Sequence, residues 1–420
     1  MKRLLQLNVF ELMALAELPI VSIAIGISFL KTSFLPFVVI LEIFFWIIRW
    51  FAYKRISCRT PADWTILLMV LMIPVTIWLS PLVSKTLLQV YRLLGAILLF
   101  YAVVNWSTTK QHIEWMFIGV VILGSALSLL APFMVKWETH KVMFLPDWIY
   151  QRFTILVSDT VNPSVLAGSL VFLLPFPLAM LIFTWPKLSK KFRGFLLVSS
   201  ILMILVLILT QSRGGWLTFF IVLAILPVFR WRYGWIGLLI IGCGLIILNF
   251  QLGFKHVLDL LIASKTLQSL DGRIEVWSRA VYMIKDFSWT GIGFGLFGDV
   301  ADQMYPFIQF PPGTIVHAHN LFLQIALDLG IPGLIAWLGT WLLVLYAGWR
   351  LYRIGCHTKD LWVVGLGVAI LCSQVALGVF GISDVPNWGM IRTVPIVWAV
   401  WGFVMAGLCV YDRYSNENGQ

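Results

Sequence analysis

Charged side chains are scarce in this chain of 420 residues, at 12% against 60% hydrophobic residues. A soluble domain carries roughly 25% charged residues, so most of this surface could not be kept in water. The mean hydropathy of +0.93 leads to the same conclusion. The composition therefore excludes a soluble enzyme, a nucleic-acid-binding domain and a disordered chain. The net charge of +11 is typical of a membrane protein whose loops face anionic lipid.

Cysteine is scarce as well, with five residues and no CxxC spacing. An odd number of cysteines without paired spacing argues against a disulfide framework and against a cysteine zinc site. The sequence also lacks a small-residue cleavage site after its basic start, Met1-Lys2-Arg3. We therefore expect the first apolar run to remain as a membrane anchor.

Long apolar runs are what the chain has in abundance. Crossing the hydrocarbon takes about 20 such residues. Twelve candidate runs lie at about 12–30, 34–51, 64–80, 87–106, 114–133, 164–185, 195–211, 215–229, 234–250, 333–349, 361–383 and 393–411. The stretch 321–332 is interrupted by Gly330 and Pro332, which predicts a half-inserted helix before the tenth span. The sequence thus predicts an all-α polytopic membrane protein, a single bundle over 1–420 with about 12 transmembrane helices.

The distribution of Lys and Arg predicts the orientation, because cytoplasmic loops carry an excess of both. With the N-terminus inside, the inner segments hold 17 Lys and Arg in 66 residues and the outer segments 13 in 124. Both termini are therefore expected in the cytoplasm. The two longest connections, 134–161 and 251–318, then face outward. The second is too long for a simple connector, and its residues 254–268 and the stripe from Ile274 to Ile284 predict amphipathic helices along the membrane surface.

The first candidate site is the turn Ser212-Arg213-Gly214-Gly215 at the outer end of the seventh span. A helix N-terminus attracts anions, glycines let a ligand approach the backbone, and arginine matches phosphate. The turn therefore predicts a phosphate site at the outer membrane boundary. The alternative, weighed equally, is an arginine that reaches lipid headgroups beside an ordinary turn.

Further candidates lie in and after the long outer loop. Arg273 could bind an anion. For this residue alone, the more favoured interpretation is an exposed partner of Asp271 or Glu275, or a cation stacked on Trp277. His317, His319 and Asn320 could provide a base for a hydroxyl proton, or merely a polar helix cap. Two histidines at this spacing, with no third His or Cys nearby, are a weak metal signal, so no metal is expected.

Three further features favour plain structural roles. The sequence Gly291-Ile292-Gly293-Phe294-Gly295 lacks the βαβ context of a nucleotide loop and is interpreted as an ordinary loop. Asn162 and Asp384, also on the predicted outer face, are interpreted as turn or cap residues more readily than as ligands.

These residues resemble the O-antigen ligase and O-antigen polymerase superfamily of bacterial membrane glycosyltransferases. The resemblance covers about residues 150–400. Three segments carry it. Ser212–Trp216 is similar to the family's SRGG turn, and Arg273 with the glycine loop 291–295 is similar to its loop arginine and glycine-rich stretch. His319-Asn320, followed after nine residues by Gly330-Ile331-Pro332-Gly333, is similar to its HN-x9-GxxG signature. Asn162-Pro163 resembles a further family feature.

The resemblance implies an enzyme of the bacterial inner membrane with its active site on the periplasmic face. The donor would be a glycan on undecaprenyl diphosphate, and the acceptor a hydroxyl of a glycan, lipid or protein. Arg213 and Arg273 would bind the diphosphate, and His319, or alternatively His317, would be the base. The reaction would invert the anomeric centre without metal or cofactor, with Ser212, Gly214, Gly215, Asn320 and Asn162 helping to bind substrate. A polymerase of the same superfamily and, from another class, a transporter or flippase are the alternatives.

Overall fold

The chain is helical throughout the part described by a computed structural model, which is residues 8–137, 145–156, 160–253, 270–389 and 393–418. Apart from one isolated bridge between Val135 and Val161, this part contains no β-structure. The helices are α1 Val9–Leu15, α2 Glu17–Leu30, α3 Leu35–Tyr53, α4 Asp63–Trp78, α5 Val83–Trp106, α6 Lys110–Met134, α7 Trp148–Gln151, α8 Pro163–Leu173, α9 Pro175–Thr184, α10 Lys190–Leu209, α11 Arg213–Ile225, α12 Ile236–Leu252, α13 Leu270–Asp286, α14 Phe297–Met304, α15 Leu321–Thr358, α16 Leu361–Ser383 and α17 Val394–Asn418.

The prediction of an all-α polytopic membrane protein is confirmed, but the count of twelve spans is not. Eight helical segments of the described part are long and apolar enough to cross a membrane, counting α8, α9 and the 3₁₀ turn that ends at Lys187 as one segment. The number is nine if the bent pair α1–α2 also forms one span. Three of the predicted runs form apolar helices of only 16 or 17 residues, counting α11 with the 3₁₀ turn that ends at Phe229. At 1.5 Å per residue such helices reach about 25 Å, less than the roughly 30 Å of the hydrocarbon.

The centre of the bundle is formed by α16 and α17. In the most apolar stretch of each, 83% of the residues are buried, against 33% in α3, α6 and α10. Burial of this extent is expected of helices that are surrounded by other helices. α16 packs along α15 and α9, and α17 packs along α5.

Antiparallel packing brings the ends of several helices to one end of the bundle. α15 begins and α16 ends there, and the turn between α10 and α11 lies against the same helix end. The predicted half-inserted helix is the first part of α15, which continues into the span across a break at Gly330, with φ 70° and ψ 177°. This bundle end carries the candidate site.

The long connection 251–318 contains helices in its described part, as predicted. α13 and α14 share a second apolar cluster that includes Val276, Phe297 and Leu327, so they pack on the start of α15. The predicted amphipathic stretch 254–268 lies outside the described residues. The connection therefore includes a helical layer over the bundle end.

Candidate active site

The end of α16 is the point where the sequence-predicted residues meet. The main-chain oxygen of Ser383 accepts a 2.6 Å hydrogen bond from Nη1 of Arg273. Oδ1 of the next residue, Asp384, lies 3.4 Å from Nδ1 of His319. Gly214 lies so close that a Cβ atom built on it would be 2.7 Å from Oγ of Ser383. Three segments far apart in sequence thus converge on Ser383-Asp384.

Arg273 is almost completely buried, with 2% of its surface exposed. The interpretation as an exposed partner of a neighbouring carboxylate is therefore wrong. Burial lowers the pKa of Arg273, and the nearby Asp384 carboxylate acts in the opposite direction. Because arginine keeps its charge even so, α13 brings a fixed positive charge beneath the end of α16.

The turn before α11 is built as a helix start. Ser212 is the N-cap, and its Oγ accepts a 3.3 Å hydrogen bond from the main-chain N–H of Gly215. Arg213 is the first residue of α11 and is half-buried.

The two glycines have a packing role that the sequence did not indicate. A Cβ on Gly215 would lie 3.1 Å from Cβ of Ala167, and one on Gly214 would collide with Ser383. They let α11 approach α8 and α16 closely.

His319 has an unusual backbone conformation, with φ 46°. This left-handed region is uncommon for residues other than glycine, although histidine tolerates it better than most. The conformation lies directly before the cap of α15 and turns the imidazole towards Asp384. Strained backbone at such a place is a recurring feature of functional sites.

His317 lies against His319, with 4.0 Å between ring centroids. Nδ1 of His317 accepts a 3.2 Å hydrogen bond from the main-chain N–H of His319. The pKa of His317 is lowered to about 3, mainly by burial and also by the charges of His319 and Arg273, against the opposing effect of Asp384. His317 is therefore neutral at physiological pH and supports the loop as an acceptor.

The carboxylate of Asp384 is ionised over the same pH range. Burial alone would raise its pKa, but the hydrogen bond and charge of His319 and the proximity of His317 lower it well below the usual range. Sequence reasoning ranked Asp384 as a turn or cap residue. It does end α16, and its side chain also orients His319.

His317, His319 and Asp384 could also hold a metal ion, because one ligand atom from each lies within 4.8 Å of the others. Imidazole and carboxylate are ligands that suit several divalent ions. The sequence predicts that no metal is needed, and these three residues are where a metal ion would bind if that prediction is wrong.

The two asparagines proposed to bind substrate are helix caps. Asn320 caps α15 by accepting from the N–H groups of Phe322 and Leu323, and its Nδ2 donates to the carbonyl of Ile382 at 3.2 Å. It thereby joins the start of α15 to the end of α16. Asn162 caps α8 and lines a different cavity, of about 320 Å³, together with Arg92.

A buried polar network lies beneath the site, and it was not predicted from the sequence. Oδ1 of Asp328 accepts from Nε2 of Gln324 at 2.9 Å and from the N–H of Gly295 at 2.8 Å. Oε1 of Gln324 accepts from the N–H of Ala318 at 2.9 Å, between the two histidines. This network links the glycine loop to the histidine loop.

Two features of the sequence bear on this network. Gln324 and Asp328 are a polar pair spaced i, i+4 within an apolar helix, and this pattern could have predicted the network. The glycine loop, as predicted, is structural: its glycines all have positive φ, and one of its amides bonds to Asp328.

Comparison with known proteins bears on this cluster. The family model described as O-antigen ligase matches residues 198–338. The match confirms the resemblance to the O-antigen ligase superfamily. No curated protein matches the chain.

The O-antigen ligase match indicates a membrane enzyme of the ligase or polymerase type. The matched segment contains Arg213, Arg273, His317 and His319. Ser383 and Asp384, on which these segments converge, lie beyond it.

Proposed function

We propose that the protein is a membrane glycosyltransferase that moves a glycan from undecaprenyl diphosphate to an acceptor hydroxyl on the periplasmic face. The observation that carries the proposal is the 3.4 Å approach of His319 to Asp384 beside the buried Arg273. A carboxylate that orients an imidazole, next to fixed positive charge, suits proton removal from a hydroxyl and departure of a diphosphate.

In the proposed reaction His319 takes the proton of the acceptor hydroxyl as its oxygen attacks the anomeric carbon. The bond between that carbon and the diphosphate oxygen breaks, and the diphosphate leaves with the electron pair. Attack opposite the leaving group inverts the anomeric centre. Asp384 stabilises the imidazolium that forms, as in other carboxylate–imidazole pairs.

Arg213 and Arg273 are assigned to the diphosphate. An arginine carries five N–H donors in a planar fork that matches phosphate oxygens, and Arg273 also donates to the main-chain oxygen of Ser383. A hydrogen bond to a charged group contributes about 1.5–3 kcal/mol. Since about 1.4 kcal/mol changes a rate tenfold, two arginines could account for several decades of rate.

The orientation of the site is part of the proposal. The excess of Lys and Arg in the inner segments supports cytoplasmic termini and an outward-facing site. A diphosphate lipid that enters from the bilayer has its phosphates at headgroup depth, and the proposed orientation would place Arg213, at the start of α11, at that depth.

The test incubates the purified protein with a lipid-linked oligosaccharide and candidate glycan, lipid and protein acceptors. Product masses that increase by one glycan indicate a ligase. A ladder of repeat units on the same carrier indicates a polymerase. Movement of the lipid-linked glycan across vesicles without a new glycosidic bond would support a flippase and overturn the proposal.

A further inference from the structure

A second cavity, of about 500 Å³, lies at the opposite end of the bundle from the candidate active site. It is formed where α3 and α5 end and where α17 approaches its last turns. Because α5 starts and α15 begins at the active-site end, these helix ends lie across the bundle from His319. The predicted orientation puts this cavity at the cytoplasmic surface.

The lining of this cavity has charges of one sign only. It includes four arginines, Arg49, Arg55, Arg59 and Arg413, together with His112, and no Asp or Glu. The remaining lining residues are mainly apolar or small, among them Trp106, Cys58 and Val104. We call this lining the arginine pocket.

One arginine of the pocket is neutralised within the protein. Nη1 of Arg49 lies 3.0 Å from Oε2 of Glu17, and both side chains are buried. The guanidinium of Arg49 also lies 5.2 Å from the ring of Tyr53. Arg49 therefore forms a fixed wall of the pocket.

The other three arginines are exposed and differ from Arg49. Within the described part of the chain, no hydrogen bond or ion pair connects the side chain of Arg55, Arg59 or Arg413 to another residue. Nearby carboxylates are engaged elsewhere. Asp63 accepts from Thr60 and Tyr101, and Asp412 pairs with Arg350 at 3.2 Å.

Three guanidinium groups around one cavity repel one another unless an anion binds between them. We propose that the arginine pocket binds a phosphate group, either the headgroup of an anionic lipid or a soluble phosphate compound. Arginine forks match phosphate oxygens bidentately. A volume of about 500 Å³ lies within the range of roughly 300–1,000 Å³ found for small-molecule sites. The proposal does not depend on glycan transfer at the other end.

The lipid arm of the test measures retained lipid on the purified full-length protein by native mass spectrometry, with phosphatidylglycerol in competition with phosphatidylcholine. The variant Arg55→Gln/Arg59→Gln removes two pocket charges. The control Lys190→Gln/Lys191→Gln removes two exposed charges that begin α10 and line no part of the pocket. We expect the pocket variant alone to lose phosphatidylglycerol affinity, by about tenfold or more.

The soluble arm measures equilibrium dialysis of radiolabelled pyrophosphate against the protein in a neutral detergent. Pyrophosphate binding that the pocket variant weakens about tenfold identifies a soluble phosphate compound, whereas selective loss in the lipid arm alone identifies a headgroup. Arg413→Gln, which leaves the Arg55–Arg59 segment intact, should weaken the same ligand. Equal losses in the pocket and control variants, or no loss in either arm, would overturn the proposal.

Discussion

Oδ1 of Asp384 lies 3.4 Å from Nδ1 of His319, across the junction between the end of α16 and the start of α15. The positive φ of His319 and the cap formed by Asn320 hold the imidazole in this direction. The cluster therefore brings an imidazole, a carboxylate and a buried cation together in one corner of the bundle.

Asp384→Asn should lower the rate of glycan transfer by about 10²-fold or more, because an amide cannot stabilise an imidazolium as a carboxylate does. The measurement is the transfer rate of the purified variant at saturating donor. Asp299→Asn is the matched control, since it removes a carboxylate that pairs with Lys85 and not with His319. Equal transfer rates for the wild type and Asp384→Asn would contradict the proposal that Asp384 orients His319.

Gly214→Ala should lower transfer by about tenfold, because the new Cβ would lie 2.7 Å from Oγ of Ser383 and displace the end of α16. Gly194→Ala in α10 is the control, since nothing lies within 4 Å of its Cβ. Adding Ser383→Ala removes the colliding hydroxyl but keeps the carbonyl that Arg273 uses. The double variant should recover part of the lost rate, and no recovery would argue against this packing role.

His317 predicts how stability depends on pH. Its pKa of about 3 in the folded protein lies below the ordinary value of about 6.5, so only the unfolded chain takes up a proton as the pH falls below about 6.5. Above that pH this group does not change the free energy of unfolding. Below it, the free energy of unfolding falls by roughly 1.4 kcal/mol per pH unit, because the unfolded chain binds the extra proton.

Thermal unfolding at pH 7.5 and pH 5 tests this dependence. His317→Asn should lose less stability on acidification than the wild type. The exposed His357→Gln is the control and should behave like the wild type. Identical pH dependence in all three proteins would contradict the assignment.

Removal of metal ions should leave transfer unchanged, because His319 and Asp384 are assigned to proton transfer and to orienting the base. The measurement is transfer by protein treated with EDTA and dialysed against metal-free buffer. Inhibition that a divalent ion restores would instead assign His317, His319 and Asp384 as ligands of a metal.

The sequence predicts the all-α class of the fold and part of the candidate site. Twelve apolar runs, the turn at Arg213 and the segment around His319 are local patterns that can be identified without coordinates. Asp384 could not be assigned from sequence, because its partner is distant along the chain and the residue also has the appearance of a helix cap. The depth of Arg273 depends on how α13 packs on the bundle, which an isolated helical stripe does not reveal.

The count of spans shows a similar limit. An apolar run of 16 or 17 residues satisfies a pattern of hydrophobicity, but its helix is shorter than the hydrocarbon is thick. The glycines at 214 and 215 were predicted to let a ligand approach the backbone, and that stays a prediction. Their second role, the close packing of α11 on α8 and α16, could not be predicted because it depends on distant helices. Packing between helices is a long-range property that local patterns do not reveal.

The most direct test of the central claim is the transfer rate of His319→Asn in a single turnover with a lipid-linked oligosaccharide. Asparagine tolerates the positive φ of this position, so the loop should keep its conformation while the base is lost. The account predicts a rate at least about 10²-fold below wild type, with donor affinity retained and a smaller loss for His317→Asn. Transfer by His319→Asn at the wild-type rate would contradict it.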